Sequence, residues 1–241
     1  WGIADDGDVL EVAGPPDVVD AVLVGTAPPM GLAWRCSPPH GSVARCIEVD
    51  SDADGGIDVR VDGRRRAGGV DAVESELALF AAERLRGLVA VHAAVLRVVG
   101  AVVVVPGPSH SGKSTWCAAS LDAGHEVWSD EFALVDNAGS VRGWPRPLRL
   151  RTPSGVVRRA VTPPGAHGGA PVAMVAAVSH GARHAVRGMA ESEAIAAVLS
   201  NVVCAQRRPA ESFAASVALV RRARCVAGTR GEAVDAVRWL V

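Results

Sequence analysis

Residues 107–115 read Gly107-Pro108-Ser109-His110-Ser111-Gly112-Lys113-Ser114-Thr115 and fit the pattern G-x-x-x-x-G-K-[ST]. A loop of this type holds a triphosphate: its backbone N–H groups cradle phosphate oxygens, the lysine reaches the β- and γ-phosphates, and the hydroxyl after it ligates Mg²⁺. Lys113 is the one lysine among 25 basic residues, the other 24 being arginine. A slender ammonium on a flexible stem follows phosphate charge into a tight loop where a planar guanidinium is too bulky. The spacing therefore assigns Lys113 to the β/γ oxygens and Ser114 to the metal, with ATP and Mg²⁺ as the implied ligands.

Phosphoryl transfer also needs a carboxylate for the metal and a group that orients or deprotonates the nucleophile. Asp130 and Glu131 lie 23 and 24 residues after Gly107, behind a short apolar run. A strand next to that of the loop would bring both acids to the γ-phosphate. Asp130 stands where a metal-holding aspartate is expected, which leaves Glu131 as general base, although adjacent carboxylates can exchange these duties. Arg146, Arg149 and Arg151 recur among prolines. They fit a solvated face or, in a chain without further lysines, a guanidinium that neutralises charge on the transferred group.

The loop needs a strand before it and a helix after it. Residues 102–105 are four valines, suited to a strand buried on both faces of a parallel sheet, and Pro106 and Gly107 end it. From Ser114 a short helix runs until Gly124, and its N-terminal N–H groups and dipole would face the phosphates. Residues 70–88 carry apolar positions at helical period, with Gly87 near the end. Strands are expected at 89–95, 98–105, 126–128, 132–135 and 141–144, with a hairpin turn at 136–139. Residues 145–171, rich in Pro, Gly and Arg, read as a long irregular segment. A strand at 172–178, helices at 191–203 and 210–222, a strand at 225–227 and a final helix to residue 240 complete the chain. Thr229 and Glu232 have capping-box spacing ahead of that helix.

Residues 1–66 differ in composition. Short runs at 9–12, 21–24, 44–49 and 57–61 read as strands joined by turns at Asp54-Gly55-Gly56 and Asp62-Gly63. The reading is a small β-rich lobe over 1–66 and an α/β phosphate-binding domain over 67–241.

At 241 residues the chain can bury a sizeable core. Its net charge of −1 argues against a nucleic-acid footprint, and Arg64-Arg65-Arg66, Arg158-Arg159 and Arg221-Arg222 read as solvated faces. Five cysteines lack metal-binding spacing and read as reduced thiols of a cytoplasmic protein. The most apolar stretch, 88–106, is interrupted by His92 and Arg97, so two strands explain it better than a membrane span.

Over residues 91–135 the chain resembles the HPr kinase/phosphorylase family, whose kinase domain resembles ATP-dependent phosphoenolpyruvate carboxykinase. The resemblance rests on His92, 15 residues before Gly107, on Lys113 and Ser114, on Gly124-His125, and on the acidic pair Asp130-Glu131 where the family has two aspartates. It implies a P-loop α/β fold with a mixed sheet and flanking helices, and it places His92 near the γ-phosphate or beside the base. Without it, one histidine in an apolar strand reads as core. His110 replaces a family glycine, and the family's downstream Glu-x-Arg-Gly signature is not recognisable; residues 143–150 instead resemble the shorter HPr-kinase-like proteins found with ribosomally made peptides such as lasso peptides. A reverse phosphorylase reaction is therefore not expected.

The expectation is an ATP-dependent kinase acting on a serine-type hydroxyl of a peptide or small protein, with Lys113, Asp130, Glu131 and His92 as the reacting groups. The resemblance also allows a homo-oligomer. An ATPase and a noncatalytic nucleotide-binding module are the alternatives. Guanine readout through N-K-x-D is impossible without a second lysine, so Asp136-Asn137-Ala138-Gly139 is no GTPase signature. His167 reads as a loop residue, and the Trp144 ring as an adenine platform or a buried neighbour of Pro145.

Overall fold

A computed structural model describes residues 2–5, 8–25, 42–51, 56–109, 111–144, 146–152, 155–161 and 169–239. His110, Pro145, His167, Cys36 and the Asp54-Gly55 part of one expected turn lie outside them. The chain divides into two compact units, Trp1–Arg84 and Leu85–Val241.

The first unit contains β1 (Gly2–Asp5), β2 (Asp8–Ala13), α1 (Pro16–Gly25), β3 (Ser42–Ser51), β4 (Ile57–Val61), β5 (Arg64–Arg66) and α2 (Val70–Arg84). Its strands form one sheet in the order β1-β2-β3-β4-β5. Asp62 (φ 48°) and Gly63 (φ 75°) make the expected tight turn between β4 and β5. Residues 21–24, expected as a strand, belong to α1. Pro16 fits the first turn of that helix, and Val18, Val19 and Val22 are buried at helical spacing, so packing overrides the strand preference of valine. Val73, Leu77 and Phe80 of α2 share this core with Leu10, Ile47 and Val59, so the break between units falls after α2, whereas composition places it at residue 66.

The second unit contains β6 (Leu88–Val98), β7 (Ala101–Pro106), α3 (Lys113–Asp122), β8 (Glu126–Ser129), β9 (Phe132–Asp136), β10 (Ser140–Gly143), β11 (Leu148–Thr152), β12 (Gly155–Arg159), β13 (Ala170–His180), β14 (Ala185–Gly188), α4 (Glu191–Leu199), α5 (Pro209–Val220), β15 (Arg224–Arg230) and α6 (Ala233–Trp239). Its main sheet runs β10-β9-β6-β7-β13-β15-β14, with β8 also on β6 and the start of β13 returning to β10. The sheet is mixed: β7, β13 and β15 are parallel, while β6 is antiparallel to β7, β8 and β9.

Alternation along the strands explains the unbroken valine run. Val102 and Val104 enter one core with Val89, Val91 and the helices α4 and α5; Val103 and Val105 enter another with Leu96, Trp116 of α3 and Val237 of α6. Both faces of β7 are covered, so neither parity admits a polar residue. By the same parity His92 shares its face with Ala94 and Leu96, the face on which α3 packs.

Several boundaries moved. α2 ends at Arg84, and Leu88 already belongs to β6. The β6–β7 turn is Val99-Gly100, at φ 48° and 82°, instead of residues 96–97; an exposed valine in the left-handed region is disfavoured, which hid the turn from a propensity reading. Residues 148–152 and 155–159, expected to be irregular, pair antiparallel as β11 and β12. Thr229 sits in β15 and donates its hydroxyl to the Arg183 carbonyl at 2.8 Å, so it does not cap α6. Among the described residues four cysteines, Cys46, Cys117, Cys204 and Cys225, are free, and no helix is long and apolar enough to cross a membrane.

Candidate active site

The 15-residue interval between His92 and Gly107 is the arithmetic of the β6–β7 hairpin. Ala93 pairs with Pro106, and the next rung sets His92 against Gly107, whose N–H donates to the His92 carbonyl at 3.2 Å. The N–H of His92 in turn donates to the Asn201 carbonyl at 2.7 Å. Both edges of the histidine backbone are thus fixed, and its ring lies 6.0 Å from that of Phe132. Burial, and secondarily the Lys113 charge, lowers its pKa to about 4, so the imidazole is neutral at ordinary pH. Among the described residues the ring hydrogen-bonds neither carboxylate.

Lys113 opens α3 and is 7% exposed. Its ammonium donates to the carbonyls of Gly107 (2.7 Å) and Pro108 (2.8 Å), folding back over its own loop. Burial lowers its pKa, while Glu131 and Asp130 pull the other way. The cradle is narrower than the motif implies. The Gly107 N–H is spent on His92 and that of Ser111 on the Pro108 carbonyl at 3.3 Å. The first-turn N–H groups of Lys113, Ser114 and Thr115 have no intrahelical acceptor and remain as anion donors at the positive end of the helix. Gly112 caps α3 at φ 86°, in the left-handed region.

The carboxylates arrive by a different route from the expected one. The strand carrying them is not the neighbour of β7: β6 lies between, and β8 and β9 occupy successive stretches of its far edge. Ser129 pairs with Val95 and Phe132 with His92, so Asp130 and Glu131 sit at the break between two strands. There the Ser129 hydroxyl accepts the N–H groups of Glu131 (3.1 Å) and Phe132 (3.2 Å), and the Glu131 carbonyl accepts from Ala93 at 3.1 Å. That local turn lets two consecutive acids leave the sheet together, and a serine two residues before an acid is the signal for it.

Ser114 Oγ donates to Asp130 Oδ2 at 2.5 Å. Asp130 is 8% exposed, and burial holds its carboxyl above the usual range against the opposing pull of Ser114 and Arg146. Glu131 is raised as well, by burial first and by Asp130 second, with Arg146 and Lys113 opposing. Its Oε2 accepts from Arg146 Nη1 at 3.0 Å. Among the described residues no group of three or more His, Cys, Asp or Glu could hold a metal ion. The fit is to Mg²⁺ of the kind bound through one or two protein oxygens: Ser114 and Asp130 offer adjacent hard donors, and phosphate oxygens and water would complete an octahedron.

Lys113, Ser114, Asp130, Glu131 and His92 therefore converge, with Gly107 to Ser109 and Ser111 to Thr115 as the loop around them; His110 lies outside the described residues. Of the three candidate arginines, Arg146 joins them. Arg149 lies on β11, as does Arg151, whose side chain is outside the described residues. His125 is at the opposite end of β8 from Asp130, behind the Gly124 turn, away from the chemistry. Trp144 is buried edge-on against Phe132 at 5.3 Å, which rules out its use as an adenine platform.

One residue was not anticipated. Arg230, at the end of β15 and 4% exposed, donates to the Gly112 carbonyl (3.2 Å) and the Gly231 carbonyl (3.1 Å), with its guanidinium 5.8 Å from the Trp116 ring centroid. It braces the end of the loop from a strand that is distant in sequence, and nothing local to residues 229–232 signals this. No protein-family model matches the chain, and no curated protein matches it.

Proposed function

We propose that the chain is a P-loop kinase of the HPr-kinase-like type, which transfers the γ-phosphoryl group of ATP to a serine-type hydroxyl of a peptide or small protein in the cytoplasm. The observation that carries this reading is the 2.5 Å contact between Ser114 and Asp130, with Glu131 next in sequence and Lys113 beside both. It joins a hydroxyl and a carboxylate suited to one metal ion with a second carboxylate left over for the nucleophile.

Bound Mg²⁺ would supply charge neutralisation on the phosphate oxygens. The remaining work belongs to the protein. The first turn of α3 offers N–H donors to the phosphates, and Lys113 exchanges its loop carbonyls for the β/γ oxygens. Glu131 takes the proton of the acceptor hydroxyl as the new O–P bond forms; the bond from the γ-phosphorus to the β,γ-bridging oxygen breaks, and ADP leaves with that electron pair. The burial that raises the Glu131 pKa makes it a stronger base than a solvated glutamate. His92 stays neutral and contributes position through its backbone bond to Gly107.

The experiment is turnover with γ-labelled ATP and candidate acceptors, peptides encoded beside the gene first, read by mass spectrometry. Label on a seryl or threonyl hydroxyl supports a kinase, and phosphate release without acceptor an ATPase. Calorimetric silence with MgATP from folded protein would remove the reading altogether. Lys113→Ala and Glu131→Gln are expected to abolish transfer with the fold intact.

A further inference from the structure

The two cations of the site are both engaged with protein acceptors. Lys113 donates to Gly107 and Pro108, and Arg146 donates to Glu131. Two carboxylates, Asp130 and Glu131, face these two positive charges. MgATP brings a net negative charge into that balance, and the groups free to answer it are the cations.

The two buried arginines around the loop differ in how far they are committed. Arg230 spends both terminal nitrogens on carbonyls and lies over the Trp116 ring. Arg146 is 9% exposed, uses Nη1 on Glu131, and keeps a buried Nε with no hydrogen-bond acceptor among the described residues. A guanidinium carries five donors in a rigid fork suited to phosphate oxygens, and a buried donor without an acceptor is costly, so this arrangement is less stable than one in which the fork is better filled. Its position is decided by the chain: the Arg146 N–H donates to the Trp144 carbonyl at 2.9 Å, just beyond β10, and Trp144 is wedged against Phe132, the residue after Glu131. One aromatic contact thus carries the arginine and the glutamate together.

We propose that Arg146 is a catalytic residue that leaves Glu131 for the transferred phosphoryl group, so that the base is released only when a γ-phosphate is present to take its partner. This rests on the kinase reading. It makes Glu131 unavailable to activate water in the empty site, and it supplies the positive charge that a loop with a single lysine lacks when charge spreads over the transferred group.

The test reads affinity instead of turnover. Binding of MgADP is measured by calorimetry with and without aluminium fluoride, a planar mimic of the phosphoryl group. The native protein is expected to bind MgADP at least about tenfold more tightly with the fluoride, and Arg146→Ala to lose that gain. Because Arg146→Ala leaves Glu131 buried without its partner, the double variant Arg146→Ala/Glu131→Gln is measured beside it and is expected to lose the gain too. Glu131→Gln alone should keep it, since the arginine is then freer to turn. A purely structural pair would behave alike from either side. The inference is overturned if Arg146→Ala or the double variant retains the fluoride gain, if Glu131→Gln loses it, or if the native protein binds MgADP without any gain. Failure of the native protein to bind MgADP at all would instead overturn the kinase reading beneath it.

Discussion

Ser114 Oγ and Asp130 Oδ2 stand 2.5 Å apart although 16 residues separate them, and that contact ties the first turn of α3 to the break between β8 and β9. It brings a hydroxyl and a carboxylate to one point without a protein cation between them. Ser114→Ala should therefore raise the Mg²⁺ concentration needed for ATP binding by about tenfold, equivalent to about 1.4 kcal/mol, with little change in binding of metal-free nucleotide. Titrating Mg²⁺ at fixed ATP in a calorimeter checks this.

The same carboxylate should cost stability. Burial raises the folded-state pKa of Asp130, so the folded chain holds this proton more firmly than the unfolded one. The carboxyl contributes most at low pH, and its contribution falls as pH rises through the folded pKa. Asp130→Asn should abolish Mg²⁺-dependent binding and raise stability by about 1 kcal/mol at pH 7.5, with a smaller gain at pH 4, as expected where function is held against stability. Urea denaturation at the two values is the measurement.

His92 has the opposite sign of charge and a lowered pKa. The unfolded histidine titrates near 6.5 and the folded one at about 4, so between these values the unfolded chain binds more protons and stability falls as pH is lowered. The full loss through this window is at most about 3 kcal/mol. His92→Gln should flatten the stability profile between pH 6.5 and 4, and an unchanged slope would show that the imidazole is not buried as described.

Gly112 and Arg230 should be coupled. A Cβ on Gly112 would come within 2.4 Å of Arg230 Nη2, and the backbone there is at φ 86°. Gly112→Ala should cost about 1–2 kcal/mol from the left-handed backbone alone, plus the displacement of Arg230. The blocking atom is the end of a long side chain, so Arg230→Ala should relieve the second part. A double-mutant cycle by chemical denaturation is expected to show a coupling of about 1 kcal/mol.

The Val99-Gly100 turn offers a gain. Val99 is 75% exposed at φ 48°, where a β-branched residue is strained and asparagine is at ease. Val99→Asn should stabilise the second unit by about 1 kcal/mol without touching nucleotide binding, visible as a higher Tm.

What could be read from the residues in order was whatever depends on neighbours in the chain. The phosphate loop declared itself through its spacing and its lone lysine, β7 through four valines in a row, and the β4–β5 and β9–β10 turns through Asp62-Gly63 and Asp136 to Gly139. The His92–Gly107 interval was visible only as part of the family resemblance; its meaning as register was not, because the turn is expected at residues 96–97 and lies at Val99-Gly100.

Tertiary structure decided the rest. Valines at 18, 19 and 22 became a helix because one side of it met a sheet, and β8 reached the site across β6 because strand order is set by pairing between distant segments. Arg146 and Arg230 gained their roles in the same way. A guanidinium is equally at home in water, on a carboxylate or on a carbonyl, so its sequence neighbours say nothing of its partner. Only the burial imposed by the folded sheet removes water and leaves Glu131 to one and the end of the loop to the other.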